Sequence, residues 1–133
     1  MKELTLDIVT PGKDITGVAV TSVTVPGSNG EMTFLVEHTD IISSLDVGPL
    51  FYKKKEGGEE KFVVKSGFVQ VEENKVSVLT ESATNLKEVD RQSVEERKKN
   101  AQEKFKTLDE KLTQERGKLF NDIKESDLIL KLS

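Results

Sequence analysis

The single histidine of this 133-residue chain, His38, has neighbours that could take part in catalysis. Glu37 and Asp40 flank it, and serines follow at positions 43 and 44. Beside a carboxylate, a histidine can act as a general base for a serine nucleophile, so a small hydrolase using His38, Asp40 and Ser43 or Ser44 is one alternative. The sequence offers no second base, and its one glycine-rich loop, described next, lacks the features of a substrate-binding loop. We therefore favour a structural or interface role for His38. One histidine also excludes a histidine-rich metal site.

A glycine-rich segment, Pro26–Met32, precedes this histidine. Glycines expose backbone amides to anions, so such a loop can bind phosphate when a helix begins directly after it. No helical pattern follows this segment, and it contains no lysine. The sequence therefore favours a plain turn that also contacts a partner.

Charge and composition exclude several classes of protein. The formal net charge is −4 and the sequence pI is about 5.2, so no overall positive field would attract nucleic acid. The chain has no cysteine, which excludes disulfides and fits a reducing compartment. The first residues lack the apolar centre of a signal peptide, and no apolar run approaches the roughly 20 residues of a membrane span. We therefore expect no direct insertion into a membrane.

Residues 1–84 have the hydrophobic period of β-strands. Leu4, Leu6 and Ile8 alternate with polar residues, as in a half-buried strand. Val18 and Val20 continue this alternation at even positions, whereas Val23 and Val25 resume it at odd positions. One extra residue between them would explain the change, which predicts a β-bulge at Thr21-Ser22. Further strands are predicted at 47–53, 60–65, 68–71 and 75–80, with turns between them. Many short strands without an intervening helix indicate an antiparallel sandwich or barrel.

Residues 85–133 have a helical period instead. This part contains 23 charged residues of 49 and no proline. Asn85 and Thr107 are each followed three residues later by glutamate, the pattern of a helix start, so we predict helices beginning at both and joined near 106–107. Apolar residues on one face of the second helix are predicted to pack: Leu108, Leu112, Leu119 and Ile123.

The sequence thus predicts an α+β fold in which an N-terminal antiparallel β-sandwich, residues 1–84, is followed by a C-terminal antiparallel α-helical hairpin, residues 85–133. The hairpin has too few apolar residues to be stable by itself. It must therefore gain stability from the surface on which it docks, and two docking states are possible.

Four segments in this order resemble the epsilon subunits of bacterial F-type ATP synthases. The first and second are Leu6–Pro11 and the proline-glycine loop Val25–Met32. The third, Phe34–Ile42, contains the histidine, and the fourth, Lys65–Val71, resembles the family's serine-glycine-phenylalanine strand. Together with the order and length of both parts, they extend the resemblance over essentially the whole chain.

The resemblance implies a non-catalytic subunit of the rotating central stalk, which couples proton flow through the c ring to ATP synthesis. It would lie at the cytoplasmic face of the bacterial inner membrane. Its expected partners are the gamma subunit, the ring of c subunits and the alpha/beta catalytic head. By resemblance, Gly30, Glu31 and Met32 would contact the c ring, while His38 and Thr39 would contact gamma. The hairpin is expected to restrain ATP hydrolysis when it extends toward the head.

Some members of the family bind ATP on the hairpin through isoleucine or leucine, aspartate, two spacers, arginine and alanine. The matching stretch here is 89–94, in which Ser93 replaces the arginine whose planar group would bind phosphate. Asp90, Arg91 and Arg97 remain as candidate ligands. The resemblance therefore implies no required cofactor and at most weak ATP binding.

A second class of function shares these physical features. A stand-alone β-sandwich interaction module with a helical tail would have the same composition and periodicity. Only the four resembling segments distinguish it from the stalk subunit.

Overall fold

Nine β-strands form the first part of the chain in the computed structural model, which describes residues 3–108 and 113–132. The strands are β1 (Leu4–Val9), β2 (Asp14–Gly27), β3 (Gly30–Phe34), β4 (Ile41–Leu45), β5 (Gly48–Lys54), β6 (Glu59–Val64), β7 (Gly67–Glu72), β8 (Lys75–Thr80) and β9 (Ala83–Asn85). Within the sheet they lie in the order β1-β8-β7-β4-β2-β5-β6-β9, and β3 pairs with β2. All neighbours in this order are antiparallel except β1 and β8.

The long strand β2 folds the sheet over on itself. Its first half pairs with β1, its second half pairs with β3 and β5, and its last residue pairs with β4. Side chains from the inward faces then enclose one apolar core, which makes the unit a β-sandwich. Sixteen buried residues form this core: Leu4, Leu6, Ile8, Val20, Val23, Val25, Phe34, Leu45, Leu50, Tyr52, Phe62, Val64, Val69, Val71, Val76 and Val78.

A bulge in β2 keeps its valines on the core side. Val20 pairs with Lys54 and Ser22 pairs with the next residue, Lys53, so Thr21 is the extra residue. The bulge restores the inward direction for Val23 after the alternation has changed phase. The bulge predicted at Thr21-Ser22 is confirmed.

Asp7 joins β1 to both of its neighbours. Its carboxylate accepts from the backbone N–H of Gly17 (2.8 Å), and the ammonium of Lys75 on β8 lies 3.2 Å away. The Gly17 hydrogen bond, followed by the contact with Lys75, holds the pKa of Asp7 below its usual range.

Three strands were not predicted from the period: β3, β4 and β9. β3 follows the glycine turn directly, so its five residues are too few for a clear alternation. On β4, Ile42 is exposed while Leu45 is buried. A strand with apolar residues on both faces does not show the alternation of a half-buried strand.

Strand β6 is covered on both faces. Phe62 and Val64 point into the sandwich core, whereas Val63 points outward and is nevertheless 0% exposed. Val63 packs with Val94 and Ile129 of the helical part in a second apolar cluster. The hairpin is therefore docked on the outer face of the sandwich.

The first helix begins later than the sequence predicted. Asn85 accepts from the N–H of Lys87 and caps only one 3-10 turn, Leu86–Glu88. Helix α1 is Arg91–Thr107, and Asp90 is its N-cap. The helix start predicted at Asn85 is wrong because Val89 is extended (φ −77°, ψ 127°) and places its side chain in the second apolar cluster.

The start predicted for the second helix is also wrong. Thr107 is the last residue of α1, and its hydroxyl donates back to the carbonyls of Glu103 and Lys104 (both 3.2 Å). Leu108 is extended, and helix α2 is described from Thr113 to Leu132. The acidic residues of the predicted start, 109 and 110, lie outside the described residues, as does Leu112.

Polar contacts join the two antiparallel helices at both ends. Near the sandwich, the ammonium of Lys98 donates to Asp127 (2.8 Å). At the far end, the guanidinium of Arg116 donates to the carbonyls of Phe105 and Leu108 (both 3.1 Å) and lies 4.1 Å from the centre of the Phe105 ring. The two hydrogen bonds of Arg116 close the far end of the hairpin, because they satisfy carbonyls that the end of α1 leaves without helical partners.

The boundary predicted between residues 84 and 85 falls inside β9, which pairs with β6. Lys87 extends this attachment, because its ammonium donates to Glu60 (3.1 Å) and holds the pKa of Glu60 below its usual range. The division into two domains at residue 84 stays a prediction. Among the described residues, no helix is long and apolar enough to span a membrane.

Candidate docking surfaces and the hairpin cleft

One outer face of the sandwich carries large apolar side chains. Ile42 of β4 is 71% exposed, and Phe68 of β7 and Leu79 of β8 are 58% and 49% exposed. Phe68 pairs directly with Leu79 and, on its other side, with Ser44, two residues from Ile42 on the same face. Directly paired residues have Cβ atoms about 5 Å apart, so the three side chains form one patch. We call Ile42, Phe68 and Leu79 the apolar patch.

A groove runs along one edge of the apolar patch. Phe68 and Leu79 line it together with Val9 and Pro11 from the end of β1, and its volume is about 690 Å³. Most of the exposed surface that lines the groove is apolar. Single exposed apolar residues are ordinary on a protein surface, but a contiguous patch beside a groove marks a binding surface.

The predicted gamma contacts, His38 and Thr39, lie just before the first residue of β4. His38 packs edge-on against Phe34 with ring centres 4.9 Å apart, and its Nδ1 donates to the carbonyl of Thr39 (2.7 Å). Thr39 is exposed, and the chain continues from it into β4 and Ile42. His38 and Thr39 therefore lie next to the start of β4 in the chain, with His38 packed on the core residue Phe34 and Thr39 exposed.

The hydrolase alternative requires His38 to approach a serine. The ring donates to a backbone carbonyl beside it, and the hydroxyl of Ser43 donates to the carbonyl of Ser44. The hydroxyl of Ser44 instead donates to the hydroxyl of Ser28, which lies in the turn between β2 and β3. These contacts favour a structural role for His38.

The predicted c-ring contacts lie at the opposite end of β3 from His38. Gly27 and Gly30 pair around a two-residue turn, and Gly30 has φ +125°, a conformation that favours glycine. A Cβ at Gly27 would lie 2.6 Å from the carbonyl oxygen of Gly30, so both glycines are needed for this turn. Gly30 and Glu31 are exposed at its tip, whereas Met32 is half-buried against the core.

The structure does not bring the two predicted contact regions together. Gly30 and Phe34 lie at opposite ends of β3, which spans about 13 Å at the usual strand rise. The turn at Gly30 is tied to the end of β4 near Ser44, since Ser28 N–H donates to the Ser44 carbonyl (3.1 Å). The predicted residues therefore define two separate exposed regions of the sandwich.

A cleft of about 390 Å³ separates the hairpin from the edge of the sandwich. Of the three candidate ATP ligands, Arg97 lines it, with Lys65 and Lys104 nearby. Two carboxylates, Asp122 and Glu125, line the same cleft. An anion in this cleft would therefore meet both signs of charge.

The other two candidate ATP ligands have structural contacts. The carboxylate of Asp90 accepts from the hydroxyl of Ser93 (2.9 Å) and the N–H of Gln92 (3.1 Å). The Ser93 hydroxyl and the N-terminal amides of α1 hold the pKa of Asp90 below its usual range. The guanidinium of Arg91 donates to the carbonyl of Leu130 near the end of α2 (2.9 Å). Asp90 and Arg91 therefore cap the two helices at the base of the hairpin.

Hydrophobic spacing did not identify the residues that line the contact between hairpin and sandwich. It predicted a packing face of the second helix that includes Leu119 and Ile123, which are only half-buried. Deep burial occurs instead at Glu125, Ser126 and Ile129. Hydrophobic spacing could not find a buried glutamate, but the run Phe62-Val63-Val64 did signal a strand covered on both faces.

Comparison with known proteins decides the family. A model described as "ATP synthase, Delta/Epsilon chain, beta-sandwich domain" matches residues 3–86. The chain belongs to this family. The family predicted from the four segments is confirmed.

Relatives in the family extend over most of the chain. The ATP synthase epsilon chain of Nitratidesulfovibrio vulgaris strain DP4 is 35% identical over 116 residues, covering 87% of this chain and 86% of the relative. The epsilon chain of Mesorhizobium japonicum is 34% identical over 97 residues, covering 73% of this chain and 72% of the relative.

Two solved structures share the fold at lower identity. A chain of the Euglena gracilis mitochondrial ATP synthase, solved with OSCP, F1 and the c-ring, superposes with a TM-score of 0.79 at 21% identity and covers 99% of this chain and 82% of that one. A chain of the Tetrahymena thermophila mitochondrial ATP synthase, solved as the central stalk and c-ring, superposes with a TM-score of 0.55 at 17% identity. It covers 66% of this chain and 72% of that one.

Gly67 lets β7 and β8, two of the three strands that carry the apolar patch, approach each other. A Cβ at this position would lie 1.9 Å from the carbonyl oxygen of Leu79, which is backbone and cannot rotate away. We predict that Gly67→Ala lowers the free energy of unfolding by about 2 kcal/mol or more, measured by chemical denaturation. The matched control is Gly12→Ala, where nothing lies within 4 Å and the change should stay within about 0.5 kcal/mol. Equal effects of the two substitutions would contradict the close approach.

Proposed function

We propose that the chain is a non-catalytic central-stalk subunit of an F-type ATP synthase that couples proton flow through the c ring to ATP synthesis. Family membership supports this role, as does an exposed apolar patch on a sandwich whose one histidine has only structural contacts. The observation that carries the proposal is the patch, because a surface of this kind on a rigid sheet serves docking. We place the subunit at the cytoplasmic face of the bacterial inner membrane, held there by its partners.

The apolar patch and the adjoining His38-Thr39 corner are the proposed gamma surface. Its centre is Phe68, an exposed aromatic of the type that dominates protein interfaces. The exposed turn at Gly30-Glu31 is the proposed c-ring contact, with Met32 fixing the turn against the core. The apolar patch and the turn adjoin at Ser44, which pairs with Phe68 and is hydrogen-bonded to Ser28 of the turn, so one sandwich can contact both partners at once.

Single cysteines can test both contacts, because the chain has none of its own. In the assembled complex, a cysteine at Phe68 should cross-link to a cysteine in gamma, and a cysteine at Glu31 should cross-link to the polar loop of a c subunit. The control is Glu56→Cys at the exposed β5–β6 turn, which should form neither product. Gel analysis of the products checks the assignment. A Glu56 product as abundant as the other two would contradict it.

We further propose that the hairpin restrains ATP hydrolysis when it leaves the sandwich and extends toward the alpha/beta head. Among the described residues, the apolar part of the contact that holds it down consists of three buried side chains, Val63, Val94 and Ile129, with partly buried apolar residues packed around them. A contact of this size is compatible with two populated positions of the hairpin.

Removing the hairpin should therefore raise ATP hydrolysis by the complex. The truncation is made after Glu88, because a cut at residue 84 would remove Asn85 from β9 and the attachment through Lys87. We expect hydrolysis to rise several-fold while cross-linking from Phe68→Cys to gamma is retained. The measurement is the ATPase rate of reconstituted complexes. An unchanged rate with retained gamma contact would remove the inhibitory role.

ATP is proposed as at most a weak ligand, and no cofactor is required. Ser93 replaces the arginine of the family's ATP motif, and Arg91 donates to the end of α2. The lost charge-assisted contact lowers affinity roughly tenfold to hundredfold. Calorimetric titration of ATP into the isolated chain should give a Kd no tighter than about millimolar, with Arg97→Ala weakening it further. Micromolar binding would overturn this proposal.

A further inference from the structure

One face of α2 carries both polar and apolar groups toward the sandwich. Asp122, Glu125 and Ile129 are spaced by three and four residues, so they lie along one face of the helix. Ile129 is 0% exposed and packs with Val63 of β6. The two carboxylates lie one and two turns before it and meet polar groups at the edge of the sandwich instead.

Glu125 is buried in this contact at 4% exposed. The hydroxyl of Ser82, between β8 and β9, donates to its Oε2 at 2.5 Å. A buried carboxylate is costly unless hydrogen bonds and opposite charges compensate its lost hydration. The Ser82 hydroxyl provides the hydrogen bond, and Lys65, Arg97 and Lys104 bring positive charge to the same cleft.

Asp122 makes a second polar contact beside the first. The ammonium of Lys65 donates to its Oδ1. Lys65 and Ser82 are neighbours at the sheet edge, because the N–H of Lys65 donates to the Ser82 carbonyl (3.1 Å). The buried hydroxyl of Thr80 donates to the Lys65 carbonyl (2.6 Å) and lies 3.2 Å from that of Ser82. Hydrogen bonds within the sandwich therefore fix the backbone at both Lys65 and Ser82.

We propose that Ser82–Glu125 and Lys65–Asp122 form a polar latch that sets the equilibrium between the docked and undocked hairpin. Ser82–Glu125 is the main part because it is buried. Lys65–Asp122 is secondary, because its side chains are 19% and 40% exposed and such pairs contribute little.

The latch acts on one state only. In the undocked hairpin all four side chains are free to hydrate, so removing one of them changes that state little. In the docked hairpin, loss of the Ser82 hydroxyl leaves Glu125 buried without its hydrogen-bond donor. A change at Ser82 should therefore alter the ratio of docked to undocked hairpin rather than the stability of the sandwich.

Docking in the isolated chain can be read from the reactivity of one cysteine. Val63→Cys would be covered by the hairpin, whereas Val64→Cys in the same strand would be enclosed in the sandwich core. A thiol reagent can thus reach position 63 after undocking, but position 64 only after the sandwich opens. The full-length chain is used for both, and the labelling rate measures the open fraction.

Ser82→Ala is expected to raise the labelling rate at position 63 about tenfold to hundredfold and to leave the rate at position 64 unchanged. Lys65→Met should raise the rate at position 63 less than about fivefold. Ser43→Ala is the matched control on β4, outside the docking contact, and should change neither rate. An unaltered rate at position 63, or a parallel rise at position 64, would overturn the latch.

A double-mutant cycle tests the pairing itself. In a Glu125→Ala background the hydroxyl of Ser82 has lost its acceptor, so Ser82→Ala should change the rate at position 63 less than about threefold. A full tenfold effect in that background would show that Ser82 acts through some other group.

The regulatory meaning of the latch rests on the proposed function, but the labelling experiment does not. If Ser82→Ala speeds labelling at position 63 and also lowers ATP hydrolysis by the complex, the latch holds the hairpin away from its inhibitory position. If labelling speeds up and hydrolysis is unchanged, the latch is upheld and the inhibitory role fails.

Discussion

The docked structure depends on the burial of Val63 between the sandwich and the hairpin. In β6, Phe62 and Val64 fill the sandwich core, so Val63 must point outward. An outward valine with 0% exposure requires a cover, and Val94 and Ile129 provide it. The helical part also brings Leu128 and Leu130 to this contact in partly buried positions, whereas Phe120 and Leu132 stay exposed. Each part therefore leaves apolar surface that the other removes from water.

Polar groups give this small apolar contact its orientation. Apolar burial is not directional, so Val63 and its two partners could tolerate a rotated or shifted hairpin. The hydrogen bond from Ser82 to Glu125 is directional, and any shift that breaks it leaves a carboxylate buried without that donor. A contact of low total strength and high specificity fits the proposed undocking, in which the hairpin would return to the same position.

The two faces of the sandwich illustrate the difference between a covered and an uncovered surface. Around Val63 the apolar residues are buried within the chain. On β4, β7 and β8 they remain exposed, with Phe68 in the middle and polar loops at both ends. The close approach at Gly67 and the β7–β8 ladder support this second face. Under the proposed function, the uncovered face serves a partner that stays bound, and the hairpin face serves an element that exchanges.

The sequence by itself determined the class of each half and the family. Alternation with period two placed the sandwich core and even the bulge at Thr21, because burial of one strand face fixes the direction of each side chain. The helix boundaries were predicted wrongly, because residues of the correct type for a cap also occur where no α-helix begins. The packing of Val89 decided that α1 begins at Arg91. The docking face of α2 was also beyond the sequence. Glu125 has no hydrophobic signal, and its burial follows only from the tertiary neighbours Ser82 and Lys65, which lie about 40 and 60 residues away along the chain.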